Sequence, residues 1–135
     1  MLYKCDQNIN HLKDFVKDSY FTKKFSDVTI VSDDQMHIKA HKDTLSFFSD
    51  VLKNILQPMH DFTYDTRTVI FLKGIKHQEV EAILSFIYLG EFEIEDTKIP
   101  ELLSAAKSLE ISQLQSVLEK SRMKITKMKQ RTQKF

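Results

Sequence analysis

The chain has 135 residues, 41% of them hydrophobic, which favours one domain with a modest core. Twenty basic and nineteen acidic residues nearly balance. Cys5 is the only cysteine, so no intrachain disulfide can form, and this favours a reducing compartment. No apolar run reaches the length of a membrane span, and two glycines leave no room for a glycine-rich phosphate loop. We therefore expect no membrane contact and no cofactor.

The first predicted elements are a short strand at residues 2–5 and an amphipathic helix after it. The helix has Leu12, Phe15, Val16 and Tyr20 at helical spacing. Such a stripe can pack on its own domain, or it can form an interface with another molecule. We prefer an interface for the first three residues, because the rest of the chain already supplies a helix-rich core.

The next predicted elements are a strand, a tight turn, a second strand and the start of a helix. Apolar and polar residues alternate at residues 28–30 and 36–40, which is typical of half-buried strands. After Ala40 the apolar period becomes helical. Ser49 and Asp50 can each cap a new helix, so we predict a break between two helices there.

The second half of the chain alternates strands and helices. Residues 68–72 have apolar side chains on both faces of an extended chain, which predicts a buried strand. A helix with a clean period then ends at Gly90, where a left-handed residue belongs. Residues 91–95 alternate glutamate with Phe92 and Ile94, which predicts an edge strand whose outer face is protected by charge. Further helices complete the chain.

The charge is unevenly divided along the chain. After Glu119 come seven basic residues and no acid: Lys120, Arg122, Lys124, Lys127, Lys129, Arg131 and Lys134. Residues 1–119 carry thirteen basic and nineteen acidic residues, a net charge of −6. A basic block of this kind is typical of a segment near nucleic acid or an import signal, and equally of a solvated helix end. We place a domain at residues 1–119 and a basic tail or linker at residues 120–135.

No group of residues indicates catalysis or a metal site. His37 and His41 are four residues apart, but they straddle a strand-to-helix junction and lack the glutamate of a zinc-protease helix. We predict that His41 is a structural residue, hydrogen-bonded near the helix start. Cys5 has no base beside it in the predicted strand, which argues against a catalytic thiol. We expect that the protein is not an enzyme.

Several motifs, in this order, resemble landmarks of the BTB/POZ family. They are Asp27-Val-Thr-Ile with Ile38-Lys-Ala-His-Lys and Leu45-Ser, then Phe86-Ile-Tyr88-x-Gly90, then Leu103-x-Ala-Ala106-x-x-Leu109. The resemblance extends over residues 12–117. It implies an α+β fold in which a helical cluster is capped by a small mixed sheet, and it implies a strand-exchanged dimer.

The resemblance also implies an interface. In BTB domains of transcription factors the first helix packs against its twin, and the N-terminal strand pairs with a strand of the partner. Carried over to this chain, the dimer interface contains Tyr3, Cys5, Leu12, Phe15, Val16, Phe92 and Ile94. Residues 91–95 would receive the exchanged strand.

The resemblance pairs Asp27 with Lys42 at the floor of a groove at the dimer interface. This charged groove would hold corepressor peptides. Removing one member of a buried charge pair costs about 3–5 kcal/mol. We therefore expect Asp27→Asn to impair folding or dimerisation.

The resemblance implies that the domain functions in protein assembly, as the N-terminal module of a transcription or chromatin regulator. It implies a location in the nucleus, with the cytoplasm as the alternative. Partners would be a second copy, other BTB proteins or corepressor peptides, and DNA would be bound only through other domains such as zinc fingers. The pattern from Tyr3 to Leu12 is similar to the insect Tramtrack-like subgroup, which often assembles beyond dimers, although Cys5 replaces an aromatic.

Two other functions stay open. The first is a substrate adaptor for a cullin ubiquitin ligase. Relatives of that kind often carry an apolar-x-Glu motif, and residues 56–62 contain no glutamate. The second is nucleic-acid binding by the basic tail itself.

Overall fold

The computed structural model describes residues 1–60 and 68–132, with the backbone alone for residues 57–60 and 124–132. The helices in these ranges are α1 (Asp6–Thr22), α2 (Lys42–Phe48), α3 (Asp50–His60), α4 (His77–Leu89), α5 (Ile99–Ser108) and α6 (Ser112–Thr132). The strands are β1 (Val28–Ser32), β2 (His37–Ala40) and β3 (Thr68–Leu72). This is the α+β class that the sequence predicts.

The three strands form a small mixed sheet in the order β2-β1-β3. Strand β1 is central, antiparallel to β2 and parallel to β3. The β1–β2 turn is closed by Gln35, whose N–H donates to the Ser32 carbonyl at 2.9 Å. Gln35 has a φ of 64°, so a left-handed residue ends the turn, as in three-residue hairpin loops.

The two acids of this turn hold the loop that follows β3. Asp33 accepts a hydrogen bond from the Gly74 N–H at 3.0 Å, and Asp34 accepts one from the His77 N–H at 2.9 Å. The Ser32 hydroxyl also donates to Asp34, and this bond holds the pKa of that carboxyl below its usual value. The hairpin turn thus fixes the start of α4.

The prediction that β3 is a buried strand is wrong for one of its two faces. Ile70 and Leu72 belong to the main core, whereas Val69 is exposed and Phe71 is 75% exposed. An apolar run predicts a strand but does not say how many of its faces are covered. In this sheet the helices cover one face of β3 and leave the other open.

The core lies between the inner face of the sheet and helices α2 to α6. Its least exposed apolar residues include Leu56, Leu102, Ala106, Ile111 and Leu114. The predicted break at Ser49 is confirmed, because this residue is extended (φ −125°) between α2 and α3. Its buried hydroxyl accepts the Leu52 N–H at 3.1 Å and donates to the Leu109 carbonyl at 2.5 Å. Ser49 therefore caps α3 and ties it to the end of α5.

Two predicted strands do not form within the described chain. Residues 1–5 and residues 91–95 have neither helical nor strand structure, and no described segment pairs with them. Alternating glutamates fit an extended chain, but a strand also needs a neighbour at hydrogen-bonding distance. Phe92 and Ile94 still pack, half-buried, against the core.

Candidate functional site, an uncovered face of the first helix

Helix α1 is held to the domain at its C-terminal end. Ser19 is buried, and Tyr20 packs its ring on Tyr88 of α4 with 5.5 Å between ring centroids. Burial raises the pKa of Tyr20, with Glu81 adding to the effect. Every residue from 1 to 18 is exposed. Most of this 17-residue helix is therefore left uncovered by the part of the chain that the structure describes.

The uncovered part of α1 carries an apolar stripe. Leu12 is 65% exposed, Phe15 57% and Val16 38%. Ile9, 58% exposed, continues the stripe towards the N-terminus, and the sequence reasoning missed it although it lies three residues before Leu12. Helices in proteins gain most of their stability from burying such a face. This stripe contributes no such burial within the described chain.

The other predicted interface residues lie in two places. Tyr3 and Cys5 are exposed just before α1. Phe92 and Ile94 lie in the 91–95 segment, where Phe92 meets the Phe86 ring of α4 at 6.1 Å between centroids. No hydrogen bond or ring contact within the described chain joins the first pair of residues to the second.

An acidic cleft separates the end of α1 from the 91–95 segment. Its volume is about 680 Å³, and its lining includes Tyr20, Glu81, Glu91, Phe92 and Glu93. Three carboxylates on the wall of one cleft favour a basic occupant. The cleft borders the segment that has no strand partner.

Asp27 and Lys42 lie together, but not as the predicted charge pair. Asp27 Oδ1 accepts a hydrogen bond from the backbone N–H of Lys42 at 2.7 Å. No ion pair joins the Asp27 carboxylate and the Lys42 ammonium among the described side chains. Lys42 is the first residue of α2, so Asp27 satisfies a free donor at the helix start.

His41 precedes α2 and joins three parts of the chain. Its Nε2 lies 2.6 Å from the Lys24 carbonyl, and its Nδ1 lies 2.8 Å from Tyr88 Oη. A carbonyl only accepts, so Nε2 donates to the Lys24 carbonyl, while Nδ1 shares a hydrogen bond with the Tyr88 hydroxyl. The Tyr88 oxygen also accepts the His41 backbone N–H at 3.0 Å. Burial raises the pKa of Tyr88 to about 12, so the Tyr88 hydroxyl keeps its proton at neutral pH.

The described residues hold no group of three side chains suited to bind a metal ion. Within the same ranges, no helix is both long and apolar enough to cross a membrane. The α1 stripe and the neighbouring cleft both include residues of the predicted interface.

The contact of Asp27 with α2 gives a testable prediction. Asp27→Ala should lower the free energy of unfolding by about 1–2 kcal/mol, because it leaves the Lys42 N–H without its acceptor. Asp27→Asn keeps an oxygen at this place and should cost less than half as much. Urea unfolding at fixed protein concentration measures both, with Glu101→Ala, at an exposed acid outside the predicted interface, as control.

Equal losses for Asp27→Ala and Asp27→Asn would contradict this interpretation. They would mean that the carboxylate charge, and not an acceptor atom, stabilises the domain. The charge-pair interpretation drawn from the sequence would then stand.

Comparison with known proteins identifies the family. The BTB/POZ domain family matches residues 16–126, and the chain belongs to this family, whose domains mediate protein–protein interactions. The family predicted from the motifs is thereby confirmed. Among solved structures, the BTB domain of zebrafish PATZ1 has a TM-score of 0.75 at 17% identity, covering 92% of this chain and 98% of that one. The BTB domain of human gigaxonin has a TM-score of 0.71 at 22% identity, covering 89% of this chain and 95% of that one.

Curated relatives of the chain include several Drosophila melanogaster proteins. Longitudinals lacking protein-like is 31% identical over 107 residues, which is 79% of this chain and 75% of that protein. Isoforms A/B/D/L of Longitudinals lacking protein are 38% identical over 77 residues, 57% of this chain but 9% of their own length. The alpha isoform of Protein tramtrack is 32% identical over 93 residues, 69% of this chain and 11% of that protein. The chain thus spans a small part of the longer relatives.

Proposed function

We propose that this chain is a homodimerising interaction domain of a transcription or chromatin regulator. The observation that carries the proposal is the state of α1, whose residues before Ser19 are all exposed and whose apolar stripe is uncovered. The uncovered part of α1, residues 6–18, is in the range of lengths, about 12–15 residues or fewer, at which isolated helices are marginal in water. Burial of the stripe against a second copy supplies stabilisation that the single chain does not.

A two-fold pairing suits this surface. In a symmetric dimer the same patch meets itself, so the patch must be self-complementary. An apolar stripe meets this condition without any charge matching. The exposed flanks of the stripe include Lys13 and Lys17 beside Asp14 and Asp18, so a second copy meets charges of both signs.

The acidic cleft supports the exchange of N-terminal strands. Among the described residues, neither residues 2–5 nor the 91–95 segment beside the cleft has a strand partner. Adding the first as a strand to the second would satisfy backbone groups on both. Lys4 then comes near Glu91 and Glu93, and such a cross-strand pair contributes about 0.2–1 kcal/mol. Tyr3 and Cys5 enter the interface by the same exchange.

The relatives support the regulatory role. They include the Drosophila proteins named Transcription activator GAGA, 35% identical over 79 residues, and Sex determination protein fruitless, 32% identical over 86 residues. On this basis the protein acts in the nucleus. Dimerisation would place two sets of binding units on one particle and raise their effective concentration.

Light scattering after size exclusion tests the dimer. We expect a mass of twice the 15.9 kDa chain, held across a wide dilution series, since an obligate interface of this kind buries about 2,000 Å² or more. A folded monomer throughout the series would end the proposal. A larger mass would indicate that dimers assemble further, as the Tramtrack-like pattern implies.

A further inference from the structure

Helix α6 continues beyond the part that the core holds. Leu114 and Leu118 are buried and Ser121 is half-buried, whereas Arg122 and Met123 are exposed. The backbone stays helical to Thr132. The residues matched by the BTB/POZ family end earlier, at 126. Burial in the core therefore accounts for α6 only as far as Ser121. Residues 127–132 also lie beyond the family match, whereas positions 120 and 124 lie within it. We call residues 120–132 of α6 the extension.

The basic residues of this extension follow a helical spacing. Positions 120, 124, 127 and 131 are separated by four, three and four residues, which places them on one side of a helix. Positions 122 and 129 fall on the opposite side. The four positions extend over about 16 Å of helix axis at 1.5 Å per residue. No acid follows Glu119 anywhere in the sequence, so no carboxylate within the series offsets this charge.

We propose that this side of α6, the basic face formed by positions 120, 124, 127 and 131, binds the phosphate backbone of duplex DNA. Duplex DNA carries about one negative charge per 1.7 Å of axis, so several phosphates lie within reach of a 16 Å series of cations. A helix about 10–12 Å across also matches a major groove about 12 Å wide. The contacts are with phosphates, so binding is independent of sequence.

The charge of the remaining chain sets the direction of approach. Residues 1–119 carry a net charge of −6, so a polyanion is repelled from the domain and attracted to the helix end. The acidic domain thus disfavours DNA binding at its own surface, whereas the basic face favours it. Binding should be weak at physiological salt and steeply dependent on salt concentration.

The sequence of the extension favours nucleic acid over a lipid surface. Helices that lie in a membrane interface use large apolar side chains such as Trp, Phe and Leu on one face. From residue 119 to residue 132 the apolar residues are Met123, Ile125 and Met128, with no aromatic and no leucine. A basic helix without that apolar face binds mainly through charge.

Fluorescence anisotropy with a labelled DNA duplex of arbitrary sequence tests the proposal. For the full chain, the logarithm of the binding constant should fall linearly with the logarithm of salt concentration, with a slope of about −0.9 for each phosphate contact. Four contacts therefore predict a slope of about −3.6. Replacing all four cations of the basic face with glutamine should abolish measurable binding at moderate salt.

Two double variants separate the face from total charge. Lys124→Gln with Lys127→Gln removes two charges from the basic face, and Arg122→Gln with Lys129→Gln removes two from the opposite side. The first should weaken binding by about tenfold or more at low salt, and the second should weaken it far less. Circular dichroism should show the same helix content in both, and light scattering the same mass.

Three outcomes would overturn the inference. One is an absence of binding by the unaltered chain at low salt. Another is an equal loss of DNA affinity in the two double variants, which would show that total charge, and not the basic face, determines binding. The third is binding to phosphatidylserine vesicles without binding to the duplex. The inference does not rest on dimerisation, because a single α6 contains the whole basic face.

Discussion

Phe15→Asp should turn the protein into a folded monomer. In the single chain Phe15 is 57% exposed, so an aspartate there meets water and costs the fold little. In a two-fold dimer the same change places an uncompensated charge from each copy in the interface, at a cost of several kcal/mol per buried charge. Because 1.4 kcal/mol changes a dissociation constant about tenfold, dimers should be lost at ordinary protein concentrations. Light scattering measures the mass, and circular dichroism checks the fold.

Phe71→Asp is the matched control for this experiment. It makes the same substitution at a phenylalanine that is 75% exposed, on the open face of β3. This variant should keep the mass of two chains. A dimeric Phe15→Asp protein would contradict the assignment of the interface to α1, and so would a monomeric Phe71→Asp protein beside it.

Tyr88→Phe should lower the free energy of unfolding by about 2–3 kcal/mol. The hydroxyl that it removes bonds to both the ring and the backbone N–H of His41, so two part-buried polar groups lose their partner. The ring remains, so its packing on Tyr20 is kept. Urea unfolding in the Phe15→Asp background measures the loss without a contribution from dimer dissociation.

Tyr3→Phe provides the comparison for Tyr88→Phe. Tyr3 is exposed, and its hydroxyl has only a long contact of 3.8 Å with the Met1 sulfur. Its loss should leave the free energy of unfolding unchanged within about 0.5 kcal/mol. Equal effects of the two substitutions would mean that the contacts of His41 with Tyr88 do not stabilise the domain.

Local patterns predicted most of the fold because they report on local physics. The change of period after Ala40 located the start of α2, and the polar pair at Ser49 located the break before α3. Gly90 ends α4 with a φ of 75°, in the left-handed region where glycine is unstrained. Each of these features depends on residues within one or two turns of each other.

The features that the sequence did not predict depend on distant partners. Phe71 is exposed because no described element covers its face of β3, and the 91–95 segment forms no strand because no described strand lies beside it. The local sequence period does not determine which element lies next to a segment. Asp27 could be matched to Lys42 through the family motif. Whether its carboxylate meets the ammonium or the backbone N–H depends on where the first turn of α2 lies.

The mixed sheet has a consequence for the order in which the domain folds. Strand β1 finds β2 within a short hairpin, with Val28 opposite Ala40. The other edge of β1 pairs with β3, where Val28 lies opposite Thr68, some forty residues along the chain. Contacts of such separation form slowly, because a long loop must close first. During synthesis on the ribosome, therefore, one edge of β1 stays open to other chains until residue 72 has emerged.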